Sequence, residues 1–271
     1  MLTHIRNLIL DMDGVLWRGD TPMPGLADFF ATLRRLDINF MLATNNATKT
    51  AVLYQQKFAR FGVEIPPEQI LTSSEATAGY LRTEYGAGTA VYTVGTEGMR
   101  DAMRAQGFVI VTPDEVADGA TAAVVVVGMT PETYYKELAM GALLVGKGAK
   151  FVGTNPDPSF PSEMGPLPGA GALLAVIETA TGIKPITIGK PGPIMFSEAV
   201  CRLNGSSSDT AMVGDRLTTD IAGAKAAGIQ AIMVLSGIST RADVAVSDIK
   251  PDFIFEDIRA LAAALKKDKL F

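Results

Sequence analysis

Residues 8–17 read Leu-Ile-Leu-Asp-Met-Asp-Gly-Val-Leu-Trp, a short apolar run that is followed at once by two aspartates. Three consecutive apolar residues predict a short strand buried on both faces, so Asp11 and Asp13 stand where that strand ends. Two carboxylates at such a place repel each other unless a cation, hydrogen bonds or a shared proton compensates them. The same residues are also typical of an Asx-Gly turn. Taken alone, this segment leaves a turn and a metal site open.

An alternation of predicted helices and strands follows this segment. Apolar residues recur at helical spacing in residues 25–36 and 48–61, and short apolar runs at residues 40–43 and 70–72 predict strands. The order βαβαβ implies parallel strands that are joined by right-handed crossovers. Open parallel sheets bind ligands outside the carboxyl ends of their strands. We therefore expect the functional residues of this chain at strand ends.

Polar side chains stand at two more strand ends. Thr44 and Asn45 follow the second predicted strand, and Asp215 and Asp220 follow a later apolar run at residues 210–214. Because the carboxyl ends of parallel strands share one edge of the sheet, we expect these residues to converge on one crevice with the first aspartates. Nearby carboxylates repel one another unless a divalent cation lies among them, and an all-oxygen set without His or Cys favours Mg²⁺.

Two residues near these strand ends have more than one interpretation. Lys190 follows a further strand pattern at residues 186–189, and a lysine beside an acid cluster can belong to a structural ion pair. Beside a metal and an aspartate, its ammonium also suits a phosphate group as a point charge. Trp17 lies in a polar flap at residues 14–24, where it could face a substrate or cover the edge of the core.

The middle of the chain predicts a unit of its own. Apolar runs at residues 90–94, 122–127 and 150–152 predict strands, and helical patterns lie between them, so this part can bury its own core. Residues 153–171 are rich in Gly and Pro and predict a long irregular loop. Such a loop in a compact unit is usually functional or disordered, and Phe160 argues against disorder.

Composition limits the classes of function. The 271 residues suit two domains on the usual prior of about 150 residues each. A hydrophobic content of 48% and a charged content of 20% are typical of a globular protein with a sizeable core. A net charge of −5 with scattered Lys and Arg argues against nucleic acid as a partner, and the apolar runs are too short to span a membrane. Cys201 is the one cysteine and no signal-peptide pattern is present, so we expect a cytoplasmic protein.

Four segments together resemble, in order, the motifs of the haloacid dehalogenase superfamily: residues 11–14, 44–46, 189–191 and 214–220. The insertion between the second and third segments, with Thr154-Asn155-Pro156-Asp157, resembles the C2-type cap of the NagD-like, or 4-nitrophenylphosphatase, subfamily of class IIA. The resemblance implies an α/β fold, with a Rossmann-like parallel-sheet core at residues 1–80 and 185–271. A smaller inserted α/β cap would occupy residues 81–184.

The resemblance also implies roles for the two N-terminal aspartates. Asp11 would be the nucleophile that accepts the phosphoryl group as an aspartyl phosphate, since a carboxylate is anionic at neutral pH without a base. Asp13 would protonate the leaving oxygen and then deprotonate water, while its backbone carbonyl helps to hold Mg²⁺. Dehalogenases generally lack an equivalent second aspartate, so Asp13 favours phosphoryl chemistry.

The remaining motif residues would bind the metal and the phosphate. Asp215 would ligate Mg²⁺ directly, and Asp220 would act behind the direct ligands, for example through water. Thr44, the backbone at Asn45, and Lys190 would bind the phosphoryl oxygens.

The cap would recognise the leaving group. Its candidate contacts are Asn155, Asp157, Phe160 and Glu163, with a local turn as the alternative for each. The whole pattern predicts a Mg²⁺-dependent phosphatase acting on small phosphomonoesters, such as 4-nitrophenyl, sugar or nucleotide phosphates. A phosphotransferase or mutase and a non-catalytic ligand-binding member of the superfamily stay as alternatives. An exposed apolar cap surface could also support a homodimer.

Overall fold

The computed structural model describes residues 2–162 and 164–269. The strands are β1 (Asn7–Leu10), β2 (Trp17–Arg18), β3 (Thr21–Pro22), β4 (Asn39–Thr44), β5 (Ile70–Thr72), β6 (Ala90–Val94), β7 (Val109–Val111), β8 (Val124–Val127), β9 (Lys150–Gly153), β10 (Ser159–Ser162), β11 (Gly165–Pro168), β12 (Ile186–Thr187), β13 (Thr210–Gly214), β14 (Gln230–Val234) and β15 (Phe253–Phe255). The helices are α1 (Leu26–Arg35), α2 (Ala51–Arg60), α3 (Ser73–Tyr85), α4 (Glu97–Ala105), α5 (Pro113–Ala117), α6 (Tyr135–Gly146), α7 (Ala170–Thr181), α8 (Pro193–Arg202), α9 (Ala222–Ala226), α10 (Arg241–Val246) and α11 (Ile258–Lys269). Within the described ranges, no helix has the length and apolar character needed to cross a membrane.

The chain divides into two compact units, and both contain parallel sheets with helices, so the predicted α/β class is confirmed. The first unit comprises residues 1–44, 51–71 and 190–271, and the second comprises residues 45–50 and 72–189. These borders differ from the predicted ones because α3 packs against α4 and β12 pairs with β9, which places both elements in the second unit.

The first unit contains a six-stranded sheet in the order β15-β14-β13-β1-β4-β5. β1 lies in the middle and runs parallel to both β13 and β4, with Leu10 opposite Val213 on one side and Leu42 on the other. The chain builds the sheet outward from β1 in one direction through β4 and in the other through β13. The reversal of strand order therefore lies at the carboxyl end of β1, where ligands of open α/β sheets bind.

The core of the first unit follows from the sequence pattern. All four residues of β1 are buried, as expected for a strand that is covered on both faces. The buried face of α1 carries Leu26, Phe29, Phe30 and Leu33, and α1 packs beside α11. Spacing of three and four residues places these side chains on one side of the helix. This packing fixes β1, and with it the aspartates that follow it.

The second unit has a five-stranded parallel sheet in the order β12-β9-β8-β6-β7. Its central strand, β8, consists of four consecutive valines that are fully buried. β-branched side chains suit a pleated strand that is covered on both faces. Buried side chains of α5, α6 and α7 pack with those of the strands, so the unit has a hydrophobic core of its own.

Two segments that we predicted as irregular contain short antiparallel hairpins. Residues 153–171 include β10 and β11, with Pro161 opposite Pro166, and residues 14–24 include β2 and β3. A two-stranded ribbon has only edge strands, which tolerate proline because the missing N–H can face away from the partner. Because of its prolines, this segment lacks the alternating pattern that predicts a strand, so periodicity did not predict the first hairpin.

Candidate active site

A buried lysine joins two of the predicted acids. Lys190 Nζ donates a hydrogen bond to Asp11 Oδ1 and lies 2.7 Å from Asp220 Oδ1. It also donates to the carbonyl of Ala43 at 3.3 Å, near the end of β4. Lys190 is only 3% exposed, and a buried ammonium needs such partners. It therefore bridges the carboxyl ends of β1 and β4 to the segment that follows β13.

Asp220 is held by the backbone as well as by the lysine. Its Oδ2 accepts hydrogen bonds from the N–H groups of Asp215 at 3.3 Å and Arg216 at 3.1 Å. A π-helical turn over Leu217–Ile221 brings it back beneath the end of β13. A Cβ at Gly214 would lie 2.2 Å from the Asp220 Cβ, so only glycine leaves room for this side chain.

Asp215 occupies a pocket that two glycines shape. Its Oδ2 accepts a hydrogen bond from the N–H of Ile238 at 2.7 Å. A Cβ at Gly14 would lie 2.5 Å from this oxygen, and a Cβ at Gly237 would lie 1.9 Å from it. Gly14 also has a φ of 86°, a left-handed conformation that favours glycine. The backbone after β1 and the backbone after β14 therefore approach the carboxylate as closely as sterics allow.

Burial and mutual repulsion raise the pKa values of these acids. Burial raises the pKa of the Asp11 carboxyl well above its usual range; the Lys190 ammonium opposes that shift, and the charges of Asp220 and Asp215 add to it. Burial, followed by the charge of Asp220, raises the pKa of Asp215 to about 6. Burial alone would lower the pKa of Lys190, but Asp11 and Asp220 outweigh it and the pKa lies above its ordinary value. One lysine thus compensates only part of the negative charge.

The acid cluster fits a divalent cation. Asp11, Asp215 and Asp220 each offer an oxygen, and these three oxygens lie within 4.8 Å of one another. All three residues are buried, and hard oxygen donors are the ligands that Mg²⁺ prefers. We predicted the metal set Asp11, Asp13 and Asp215, with Asp220 behind it. The structure adds the Asp220 carboxylate to the cluster, while the Asp13 side chain is exposed and bonds elsewhere.

The Asp13 carboxylate has a partner that the sequence did not indicate. Trp17 Nε1 donates a hydrogen bond to Asp13 Oδ1 at 2.8 Å. Trp17 is fully buried, so it covers the core, as one of the two interpretations of the flap predicted. The spacing of four residues across a Gly-containing turn is the only local signal for this contact.

The two predicted phosphate-binding residues of the second motif are neighbours in sequence that belong to different units. Thr44 ends β4, is 4% exposed and belongs to the first unit. Asn45 belongs to the second unit, where its carbonyl accepts hydrogen bonds at 2.8 Å from Asn155 Nδ2 and from Ser73 Oγ. Its side-chain amide donates to Asp157 Oδ2 at 3.2 Å. Two of the predicted cap residues thus contact the second motif.

The four cap candidates differ in what the structure places. Asn155 is buried and its Oδ1 accepts from the Asp157 N–H at 3.1 Å, which forms a local Asx turn. The backbone of Phe160 lies in β10 opposite Leu167. Glu163 and the side chain of Phe160 lie outside the described residues.

Sequence reasoning missed the groups that orient the acids. The N–H of Ile238 donates to the Asp215 carboxylate and the indole N–H of Trp17 donates to the Asp13 carboxylate, while Gly237, which lacks a Cβ, leaves room for Asp215. The Ser-Gly pair at residues 236–237 could have been noticed, because it follows a buried strand in the same way as the aspartates do. Contacts between side chains distant in sequence give no periodic signal.

Two family models match this chain. A model described as haloacid dehalogenase-like hydrolase matches residues 8–109, and one described as HAD-hydrolase-like matches residues 187–261. An acid sugar phosphatase of Staphylococcus epidermidis is 36% identical over 266 residues, which cover 98% of this chain and 100% of the relative.

Solved structures resemble the whole chain. A 4-nitrophenylphosphatase from Thermotoga maritima has a TM-score of 0.90 and 35% identity, covering 97% of this chain and 98% of that one. A glycerol phosphate phosphatase from Mycobacterium tuberculosis in complex with magnesium has a TM-score of 0.87 and 33% identity, covering 96% of this chain and 77% of that one. NagD from E. coli K-12 has a TM-score of 0.86 and 33% identity, covering 94% and 97%. These similarities extend over both units of the fold.

Proposed function

The chain belongs to the haloacid dehalogenase-like hydrolases, and we propose that it hydrolyses small phosphate monoesters with Mg²⁺ through a covalent intermediate on Asp11. The observation that carries this proposal is the buried contact of Lys190 with both Asp11 and Asp220 at the carboxyl end of β1. The names of its relatives, acid sugar phosphatase, 4-nitrophenylphosphatase and glycerol phosphate phosphatase, support a phosphatase acting on small esters.

Asp11 is suited to the nucleophilic step. Its carboxylate lies at the end of the central strand, and the Lys190 ammonium fixes one of its oxygens. A bond forms between an Asp11 oxygen and phosphorus while the bond from phosphorus to the leaving oxygen breaks. The electron pair of the broken bond stays on the leaving oxygen.

Asp13 is suited to the proton transfers. Its carboxyl donates a proton to the leaving oxygen as the first ester bond breaks. Its carboxylate then accepts a proton from the water that attacks phosphorus, and the bond from phosphorus to Asp11 breaks to release inorganic phosphate. The exposure of this side chain suits a group that must meet both the substrate and water.

Thr44, the backbone at Asn45, and Lys190 would hold the phosphoryl oxygens, as donors fixed at strand ends. Asp11, Asp215 and the Asp13 carbonyl would hold Mg²⁺, which when bound neutralises charge on the phosphoryl oxygens. The Asp220 carboxylate accepts two backbone hydrogen bonds and faces Lys190, so we assign it to orienting that lysine and supporting the metal from behind.

Asn155, Asp157, Phe160 and Glu163 stay our candidates for recognition of the leaving group. The contacts of Asn155 and Asp157 with Asn45 support a connection between this cap segment and the phosphate-binding motif. If these residues also contact the leaving group, its binding would affect the position of the Asn45 backbone, which we propose to hold the phosphate.

The test is a phosphate-release screen with purified protein, Mg²⁺ and a panel of phosphomonoesters that includes 4-nitrophenyl phosphate, sugar phosphates and glycerol phosphate. We expect release that EDTA abolishes and that Asp11→Asn lowers by ~10³-fold or more, because the nucleophile is lost. Asp118→Asn, an exposed carboxylate in the second unit, serves as the matched control and should leave kcat unchanged.

Two results would contradict the proposal. Phosphate transfer to an added alcohol that greatly exceeds hydrolysis would favour a phosphotransferase. If folded, Mg²⁺-loaded protein releases phosphate from none of the esters, a non-catalytic binding protein would be favoured.

A further inference from the structure

We infer that Trp17 is a positioning residue for the proton transfers: its buried indole N–H holds the Asp13 carboxylate in the orientation that serves the leaving oxygen. This inference rests on the proposed role of Asp13 as acid and base. It concerns one contact, the 2.8 Å hydrogen bond from Trp17 Nε1 to Asp13 Oδ1.

The contact joins an exposed group to a rigid one. Asp13 is exposed, and an exposed aspartate ordinarily samples several rotamers. Trp17 is 0% exposed, and its indole has a single N–H that can only donate. A fixed donor selects the one rotamer of Asp13 that places an oxygen in front of it. The other carboxylate oxygen then has a defined direction.

Aromatic packing holds the indole in place. Its ring stacks on Tyr54 at a centroid distance of 6.2 Å and an interplanar angle of 17°. Phe58 meets it edge-on at 5.0 Å, and Phe61 lies at 6.0 Å. Aromatic pairs at such distances gain energy beyond simple burial. Contacts on several sides leave the ring no alternative rotamer without opening the core.

A lysine completes the arrangement. Lys57 Nζ lies 4.4 Å from the centroid of the Trp17 ring and donates to the carbonyl of Gly19 at 2.6 Å. It also lies 3.5 Å from Asp20. A cation over an indole face attracts the ring and ties it to the turn of the β2–β3 hairpin. The β2–β3 hairpin that follows Asp13 is therefore held at Trp17, where it begins, and at Gly19 and Asp20, where it turns.

The inference predicts dependence on the leaving group. A positioned acid matters most when the leaving group is a strongly basic alkoxide, as in glycerol phosphate. It matters least for 4-nitrophenyl phosphate, whose weakly basic phenolate leaves without a proton. Loss of Trp17 should therefore lower kcat/KM for the alkyl ester much more than for the aryl ester. A general loosening of the fold would lower both alike.

The experiment compares Trp17→Phe with Phe61→Leu on these two esters. Trp17→Phe keeps an aromatic ring in the core but removes the N–H, and Phe61→Leu loosens the packing around the indole without touching Asp13. We expect Trp17→Phe to reduce kcat/KM for glycerol phosphate at least about tenfold more than for 4-nitrophenyl phosphate, a part of the ~10²–10⁴-fold effect of a general acid. Phe61→Leu should affect both esters equally. The double variant Trp17→Phe/Asp13→Asn should be no worse than Asp13→Asn.

A second measurement needs no catalysis and no change to the core. Trp17 is the only tryptophan of the chain, so its fluorescence reports directly on its surroundings. Removing the charged acceptor with Asp13→Ala, an exposed position, should shift the emission maximum of the folded protein.

The outcomes separate this inference from the proposed function. Equal losses on both esters, or identical emission of the wild type and Asp13→Ala, would overturn the positioning role even in an active phosphatase. A wild type that hydrolyses neither ester would instead overturn the proposed function, while a fluorescence shift would still support the contact.

Discussion

Lys190 and its acidic neighbours are buried charges whose desolvation lowers the free energy of unfolding. Lys190 is buried with Asp11 and Asp220, and Asp215 adds a third carboxylate nearby. Burying ion pairs costs desolvation energy that mutual attraction often fails to recover, so such a cluster is weak evidence for stability. One ammonium among three acids leaves a surplus of negative charge. A bound divalent cation would compensate this negative charge and would let the site accept a phosphate, which is itself an anion.

Gly14 allows a residue-level prediction about metal binding. Gly14→Ala adds a methyl 2.5 Å from Asp215 Oδ2 and must displace that carboxylate. We expect a loss of Mg²⁺ affinity, together with a cost of roughly 1–3 kcal/mol for a left-handed non-glycine residue. Isothermal titration with Mg²⁺ and urea unfolding measure the two effects.

Gly19→Ala is the matched control for that prediction. Gly19 has a φ of 55° and nothing within 4 Å of an added Cβ. It should lose a similar amount of stability yet keep its Mg²⁺ affinity. Equal Mg²⁺ affinities of the two variants would contradict the role assigned to the contact between Gly14 and Asp215.

At the level of elements, Asn155 yields a prediction about the segment that follows β9. Its side chain is 3% exposed and donates to the Asn45 carbonyl. Asn155→Ala should cost about 1–3 kcal/mol, because buried partners lose their hydrogen bonds. It should also raise KM for 4-nitrophenyl phosphate, since the backbone at Asn45 loses its support. Thermal unfolding and steady-state kinetics measure these changes.

Asn155→Asp tests which half of the amide matters. It keeps an oxygen that accepts from the Asp157 N–H but removes the Nδ2 donor. If the contact with Asn45 supports the phosphate-binding backbone, this variant should raise KM as much as the alanine variant does. A KM at the wild-type value would assign Asn155 to its local turn alone.

The strands and their polar ends were predictable, whereas the contacts between them were not. β1 and β13 were predictable because strands that are buried on both faces are continuous apolar runs, and in this chain each run is followed directly by an aspartate. The hydrogen bond from Trp17 to Asp13 depends on the turn through Gly14 that precedes β2, which the polar flap did not reveal. β12 has only two residues, and the pairing that places it beside β9 is decided by the sheet and not by its own sequence.

At the level of the whole molecule, the chain passes between its two units beside two of the proposed phosphate contacts. One crossing separates Thr44 from Asn45, and another separates Gly189 from Lys190. Residues 45–50 and 72–189 are therefore two insertions into the chain of the first unit, and each has one end next in sequence to a residue that we propose to bind phosphate. This connectivity explains why the acid motifs lie far apart in sequence although the sheet brings them together.

The acid cluster also makes the stability of the whole molecule depend on pH and metal together. Burial, then the charge of Asp220, raises the pKa of Asp215 to about 6, so the folded metal-free protein keeps a proton that the unfolded chain has released. Between about pH 4 and pH 6 the folded state binds more protons than the unfolded state, and stability falls as pH rises through that window. The raised pKa of Asp11, which burial causes first, acts in the same direction.

Mg²⁺ replaces the proton as the compensating charge, so its stabilising effect should be small near pH 5 and large at about pH 7.5. Differential scanning calorimetry with millimolar Mg²⁺ and with EDTA measures both melting temperatures. Asp215→Asn, which has no charge to compensate, should flatten the pH dependence and reduce the Mg²⁺ shift. A wild-type Mg²⁺ shift of equal size at both pH values would show that the cation does not replace a proton in this cluster.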